Sequence, residues 1–264
     1  MSKDLEKNKK ERLGEIKRNK ESLGGYEMKI VEYKNALDIV VEFQDEYKAK
    51  IRTQYGNFKK GQVKNPYYPY VFNVGYIGQG KYTHKTHKEI YQKWHQMIKR
   101  CYDPHYLNRK PTYRDVFVCD EWLCFQNFAK WYENNYYKCN NEIMELDKDI
   151  LVKGSKIYSP KTCCFVPRKI NSLFIKQKNN RGKYPIGITD YYDKKGYNYL
   201  IVQCNTLEKQ EYLGTFPLSE PFHAFYTYKQ FKENYIKQVA DEYKDLIPTK
   251  LYEAMYKYEV EIND

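Results

Sequence analysis

No stretch of this sequence approaches the roughly 18 consecutive apolar residues of a membrane-spanning helix, and the opening MSKDLEKNKKERLGEIK has no apolar run of signal-peptide length. A chain that stays off membranes and works in the cytoplasm is expected. Cysteine is sparse and ill-spaced for a framework. Its seven positions (101, 119, 124, 139, 163, 164 and 204) are odd in number and include no C-x2-C pair. That excludes a disulfide scaffold in a chain of this size, makes a zinc site unexpected, and leaves buried thiols in a reducing compartment as the reading. Acidic residues are the minority charge: 34 Asp and Glu stand against 46 Lys and Arg, a net +12. A polyanionic partner is therefore favoured over an acidic small substrate, with nucleic acid foremost. There is no long-period repeat.

What the chain does have is tyrosine. Thirty of its 264 residues are Tyr and 17% are aromatic, within a hydrophobic fraction of 41% that suffices for folded cores. Tyrosine can fill a core and still present a hydroxyl to phosphate, base or water. The pattern along the chain predicts a multidomain α+β protein. Residues 1–25 carry eight basic and five acidic groups with few apolar ones and read as a basic arm, mobile or loosely docked, ending at Gly24-Gly25. Alternation in MKIVEYKNALDIVVEF predicts strands and a small β-rich domain over about 26–80. Two helices follow in a domain over 85–178. In HKEIYQKWHQMIKRCY, residues Ile90, Trp94, Met97, Ile98 and Cys101 share a face. In CDEWLCFQNFAKWYENNYY, Asp120 reads as a cap and Trp122, Phe125, Phe128, Ala129 and Tyr132 as the buried stripe. MELDKDIL and IYSPKTCCFV then predict two strands, and PRKINSLF a short helix with Pro167 at its first position. Over 183–236, GITDYY, YNYLIVQC and KQEYLGTF predict three strands, and AFYTYKQFKENYI a helix against them. Residues 237–264 form an acidic helical segment that either shields the basic body or is merely solvated.

Charge is concentrated between Lys148 and Lys183, where ten basic residues face one acid, Asp149. Lys153, Lys156, Lys161, Arg168, Lys169, Lys176, Lys178 and Arg181 belong to this block and are candidate phosphate contacts. Such contacts set affinity and salt dependence without reading sequence.

Over about residues 88–174 the chain resembles the HNH, or His-Me finger, nucleases of phages and mobile introns. The resemblance rests on W-x2-M-x2-RC (Trp94, Met97, Arg100, Cys101), C-x-EW-x2-F-x2-F (Cys119, Glu121, Trp122, Phe125, Phe128), LDKDI and YSPKTC. It implies a ββα metal site in which a strand aspartate holds a divalent cation, the next residue is a general-base histidine, and an Asn or His completes the ligands. Asp147 matches the aspartate, Lys148 stands at the base position and Thr162 at the last ligand position. Lysine, with an ordinary pKa of about 10.4, is a poor base at neutral pH. Threonine is a weak ligand, so Asp147 and Asp149, sent to one face by strand alternation, would carry Mg²⁺ or Mn²⁺. The same two carboxylates could equally be structural caps or lysine partners. Of the five histidines, His95 reads as a surface or capping residue, and His105 is the one that could reach such a site.

Residues 183–236 are similar to the Apetala, or ethylene-response-factor, type of DNA-binding domain, through Gly187-Ile188, YNYLIVQC, YLGTF and the helix with Ala224 and Tyr228. That resemblance implies a three-stranded sheet laid in the major groove of double-stranded DNA. Tyr197, Tyr199, Gln203, Lys209 and Glu211 stand on its strand face where the family uses Arg and Trp. Residues 26–80 resemble a small domain found ahead of HNH modules, the CapR homology domain. Two functions follow: a metal-dependent DNA endonuclease acting through Asp147, Lys148 and Asp149, or a protein that keeps the scaffold without the chemistry, either a DNA-binding regulator or a phage interaction protein whose protein partner belongs to a host defence system. RNA binding is a third reading of the same charge and rings.

Overall fold

The computed structural model describes residues 3–176, 183–194 and 196–264. The fold is mixed α+β, and the chain divides into two compact units, Met1–Asn134 and Asn135–Asp264.

The first unit opens with α1 (Lys3–Arg12), β1 (Ile16–Arg18), β2 (Glu27–Asn35), β3 (Asp38–Phe43), β4 (Lys50–Thr53) and α2 (Tyr55–Lys59). The four strands form one antiparallel sheet in sequence order. Period-two alternation buries Met28 and Ile30 of β2 with Ile39, Val41 and Phe43 of β3 and Phe58 of α2. Residues 1–25 depart from the expected loose arm, because Ile16–Arg18 is the edge strand of this sheet, in register with Glu27–Lys29. Asn19 fastens it: its Oδ1 accepts the Tyr26 N–H at 2.6 Å, and its buried Nδ2 donates to the Leu23 and Val63 carbonyls. Polar residues can hold a segment through such bonds without an apolar face, a signal that hydrophobic periodicity does not carry.

The rest of this unit comprises α3 (Lys88–Tyr102), α4 (Pro104–Arg109), β5 (Phe117–Val118), α5 (Asp120–Leu123) and α6 (Phe125–Asn135). All five apolar residues expected on α3 are buried. Trp94 donates from its indole N–H to the Trp122 carbonyl at 2.7 Å and packs on Phe125, while Trp122 packs on Phe128 and Trp131. The second expected helix is two: Cys124, extended at φ −84° and ψ 120°, separates α5 from α6. Asp120 is not a cap but the first residue of α5, where its charge still suits the helix N-terminus. The stretch between the two expected helices holds α4, capped by the Asp103 carboxylate on the His105 N–H at 3.0 Å.

The second unit contains β6 (Met144–Asp147), β7 (Ile157–Tyr158), β8 (Cys164–Pro167), α7 (Arg168–Ser172), β9 (Ile188–Tyr192), β10 (Asn198–Asn205), β11 (Gln210–Pro217), α8 (Pro221–Glu242) and α9 (Thr249–Tyr256). Strands β6 and β8 pair antiparallel, with Asp147 opposite Cys164, and α7 follows directly with Pro167 just outside its first turn. Strands β9, β10 and β11 make an antiparallel sheet with β10 central. The 22-residue α8 joins the two layers. Its first half packs Ala224, Phe225 and Tyr228 on Leu200, Val202 and Cys204 of β10; its second half packs Ile236, Val239 and Ala240 with Val166 and Ile170 and with Leu251 and Met255 of α9. Each fully buried Leu or Val contributes about 1.5–3 kcal/mol, so this helix ties both layers to one hydrophobic framework.

Candidate functional site

Strand β6 ends at Asp147, and the chain turns at once. One oxygen of the Asp147 carboxylate accepts the Asp149 N–H at 2.8 Å and the Ile150 N–H at 2.7 Å, closing a side-chain turn. Asp149 lies beyond the strand, so the alternation that would set the two carboxylates on one face does not reach it. Lys148 is buried at 7% exposure. Its ammonium donates to both Asp149 oxygens, at 2.9 and 2.7 Å, and to the Ser155 carbonyl at 2.6 Å, so that it clamps the two ends of the 148–155 loop. The Thr162 hydroxyl donates to the Ile157 carbonyl at 2.7 Å and lies 2.9 Å from the Ser159 hydroxyl, in the turn that leads into β8. Burial pushes the Asp147 carboxyl above the ordinary carboxylate range, against the opposing pull of the Ile150 and Asp149 amides.

As arranged, these donors do not fit Mg²⁺ or Mn²⁺. A hard cation needs several oxygens turned on one point. Here one Asp147 oxygen holds two amides, both Asp149 oxygens are taken by an ammonium, and the Thr162 hydroxyl points to a carbonyl. No group of three or more His, Cys, Asp or Glu among the described residues is placed to hold a metal ion. His95 packs on the rings of Phe72 and Tyr91, and burial with nearby Lys99 lowers its pKa. His105 lies in the first turn of α4. All seven cysteines are free thiols, and burial raises Cys164 to about 12, far from a reactive thiolate.

The second candidate surface is the face of the β9–β11 sheet opposite α8. Leu200, Val202 and Cys204 of β10 turn to the helix; Tyr199, Ile201 and Gln203 turn away and are half-buried. Register adds three residues that reading the sequence did not select. Tyr191 lies opposite Tyr199, with ring centroids 5.4 Å apart; Thr215 lies opposite Ile201; Tyr212 lies opposite Gln203 and shares a hydrogen bond with Thr215. Tyr191 and Tyr212 are 48% and 60% exposed, so the face meets solvent. A bulge at Leu213 keeps Tyr212 on this side. Three expected members are elsewhere. Tyr197 precedes β10 in the hairpin turn, its N–H on the Asp193 carboxylate at 2.9 Å, and Glu211 lies opposite Cys204 on the helix side. Lys209 precedes β11 and pairs with Glu211 at 3.1 Å. Gly187 fits β9 to the helix: its φ is +80°, and a Cβ there would overlap the Tyr228 ring.

The basic block is not uniform. Lys156, Lys161 and Lys169 are exposed. Arg168 pairs with Glu145 at 2.8 Å, and Glu145 also accepts from Asn171 at 2.7 Å. Lys153 and Lys176 both reach the buried Asp264 carboxylate, at 2.9 and 2.6 Å. Lys178 and Arg181 lie outside the described residues. Compared with known proteins, the chain matches no family model, no curated protein and no solved structure. Among the described residues no helix is long and apolar enough to cross a membrane.

Proposed function

We propose that this chain is a cytoplasmic DNA-binding protein of phage or mobile-element type that docks the open face of its β9–β11 sheet on duplex DNA and performs no phosphodiester chemistry at Asp147. The observation that carries this reading is the solvent-facing array of Tyr191, Tyr199, Gln203, Tyr212 and Thr215 on a three-stranded sheet backed by one helix. A two-stranded ribbon such as the β10–β11 pair fits the width of a major groove, and the hydroxyl and amide groups of this face suit phosphate oxygens and base edges. The exposed Lys156, Lys161, Lys169 and Lys183 supply counterion-releasing charge in the same unit. The absence of chemistry is supported by the use made of Lys148 and Asp149, whose charged groups hold a loop together.

The test is fluorescence anisotropy on a labelled duplex across a salt series. Four or five phosphate contacts predict a slope of log K against log salt of about −4. Tyr199→Ala and Gln203→Ala are each expected to weaken binding about tenfold, from lost stacking and edge contacts of about 1–3 kcal/mol. Salt-independent binding, or full affinity in both variants, would remove the sheet as the interface. Preference for duplex RNA over DNA would transfer the reading to RNA.

A further inference from the structure

One flank of α3, in the first unit, alternates cations with rings. Lys88, Tyr91, His95 and Lys99 follow one another at spacings of three, four and four, which sets them in one line along the helix, beside the stripe that it buries. Lys88 is exposed, and Tyr91, His95 and Lys99 are half-buried. Lys99 stands 4.0 Å from the Asp103 carboxylate, at the limit of an ion pair. The rings continue beyond the helix. The exposed His84 ring, just ahead of α3, lies 6.0 Å from Tyr91, Tyr91 lies 5.8 Å from His95, and His95 lies 5.2 Å from Phe72. Tyr91 also packs on Trp94 and Phe125 and so braces the row on the core. Phe72 reaches its place through strained backbone: with Asn73 it is left-handed, at φ 50° and 60°, in a turn closed by two hydrogen bonds of 2.9 Å between Val71 and Gly75. A bulky side chain is rare in that region, and such strain gathers at binding sites. Gly75 seats the turn on α3, since a Cβ there would come to 3.0 Å from the Trp94 ring. From Lys81 to Arg100 six cations stand against one acid, Glu89, which falls outside the line.

We infer that this flank of α3 is a binding track for an unpaired nucleic-acid strand, whose bases stack on the rings of His84, His95 and Phe72 while Lys88 and Lys99 meet its phosphates. A single strand supplies what both kinds of residue take: each base offers a π-face and each linkage a negative charge. A duplex keeps its base faces stacked on one another, so it meets the lysines and not the rings. An acidic peptide likewise meets only the lysines. The track lies in the first unit and does not depend on the β9–β11 sheet.

The experiment is fluorescence anisotropy of a labelled oligo-dT on the full chain, with a duplex of equal length measured alongside. His84→Ala and His95→Ala are each expected to weaken oligo-dT binding about tenfold, the loss of one stacked base. His95→Phe keeps a ring and should stay near the wild-type affinity, which separates stacking from any effect on the helix. His84 is exposed and outside α3, so its variant tests the row without touching the core. Lys88→Gln with Lys99→Gln should make the slope of log K against log salt shallower by about 1.4, at about 0.7 for each phosphate contact of a single strand. Duplex affinity should be unchanged in the ring variants. Absence of oligo-dT binding, or oligo-dT binding that keeps its affinity in both His→Ala variants, overturns the track and leaves the sheet reading standing. Equal losses on duplex and oligo-dT in those variants overturn it too, because base faces would then play no part. If oligo-dT binds as expected while duplex does not bind at all, the sheet reading falls and the track stands.

Discussion

Replacing Asp147 by alanine and by asparagine should give opposite results, and the difference separates a structural turn from a reactive carboxylate. In the folded chain one Asp147 oxygen holds the amides of Asp149 and Ile150 at 2.8 and 2.7 Å. Alanine removes both bonds, at about 1 kcal/mol each, for a loss of about 2 kcal/mol. Asparagine keeps an amide oxygen for the same two N–H groups and carries no charge. Because burial raises the folded Asp147 carboxyl above its unfolded value, ionised Asp147 costs the native state stability. The sign is fixed by linkage. The cost is absent below the unfolded value of about 3.9, grows as pH rises toward the folded value, and stays constant above it. The Asp147→Asn variant escapes that cost, so it should equal wild type at pH 3 and match or exceed it at pH 7. Urea unfolding followed by circular dichroism across this pH range measures the stabilities, and amide exchange at Asp149 and Ile150 reports the turn directly. The reasoning is refuted if asparagine destabilises at pH 7 as much as alanine does, since the negative charge itself would then be what the site needs.

The other expectations are simpler. Lys148→Met should cost about 1–2 kcal/mol, because Asp149 can hydrate while the Ser155 carbonyl loses its donor, and should leave DNA affinity unchanged because the ammonium is buried. Thermal unfolding and anisotropy on the same preparation check both halves, and a large affinity loss at full stability would place Lys148 in the interface. Gly187→Ala forces a left-handed backbone on alanine and drives a methyl into Tyr228, so unfolding should be easier by more than about 2 kcal/mol; an unchanged urea midpoint would contradict the β9–α8 fit. Supercoiled plasmid incubated with Mg²⁺ or Mn²⁺ should remain intact. Nicking that Asp147→Ala abolishes would instead establish an endonuclease and require the 147–155 loop to rearrange around the metal.

Local pattern carried much of this architecture. The stripes on α3 and α6, the alternation of β2 and β3, and the three strands with a following helix were all legible, because burial of one face imposes a period of 3.6 or 2 on the sequence that forms it. The W-x2-M and EW-x2-F motifs were legible for the same reason: Trp94, Met97, Trp122, Phe125 and Phe128 are all core residues. The expectation failed where polar bonds or single backbone angles decide the outcome. The 16–18 strand is held by the Asn19 amide, and Cys124 breaks a continuous apolar stripe into two helices by its ψ alone.

What the sequence by itself determined is the α+β composition, the cores and the location of the positive block, since these depend on residue type and short-range order. Which charges in that block are free was decided only by the tertiary structure. Asp149 is adjacent to Lys148 in the chain, but the Ser155 carbonyl that completes the clamp comes from across a loop; Asp264 reaches Lys153 over 111 positions and Lys176 over 88. Membership of the open sheet face was decided there too. Tyr191 and Tyr212 join Tyr199 and Gln203 through antiparallel register and a one-residue bulge, and register is a relation between strands that no single strand encodes.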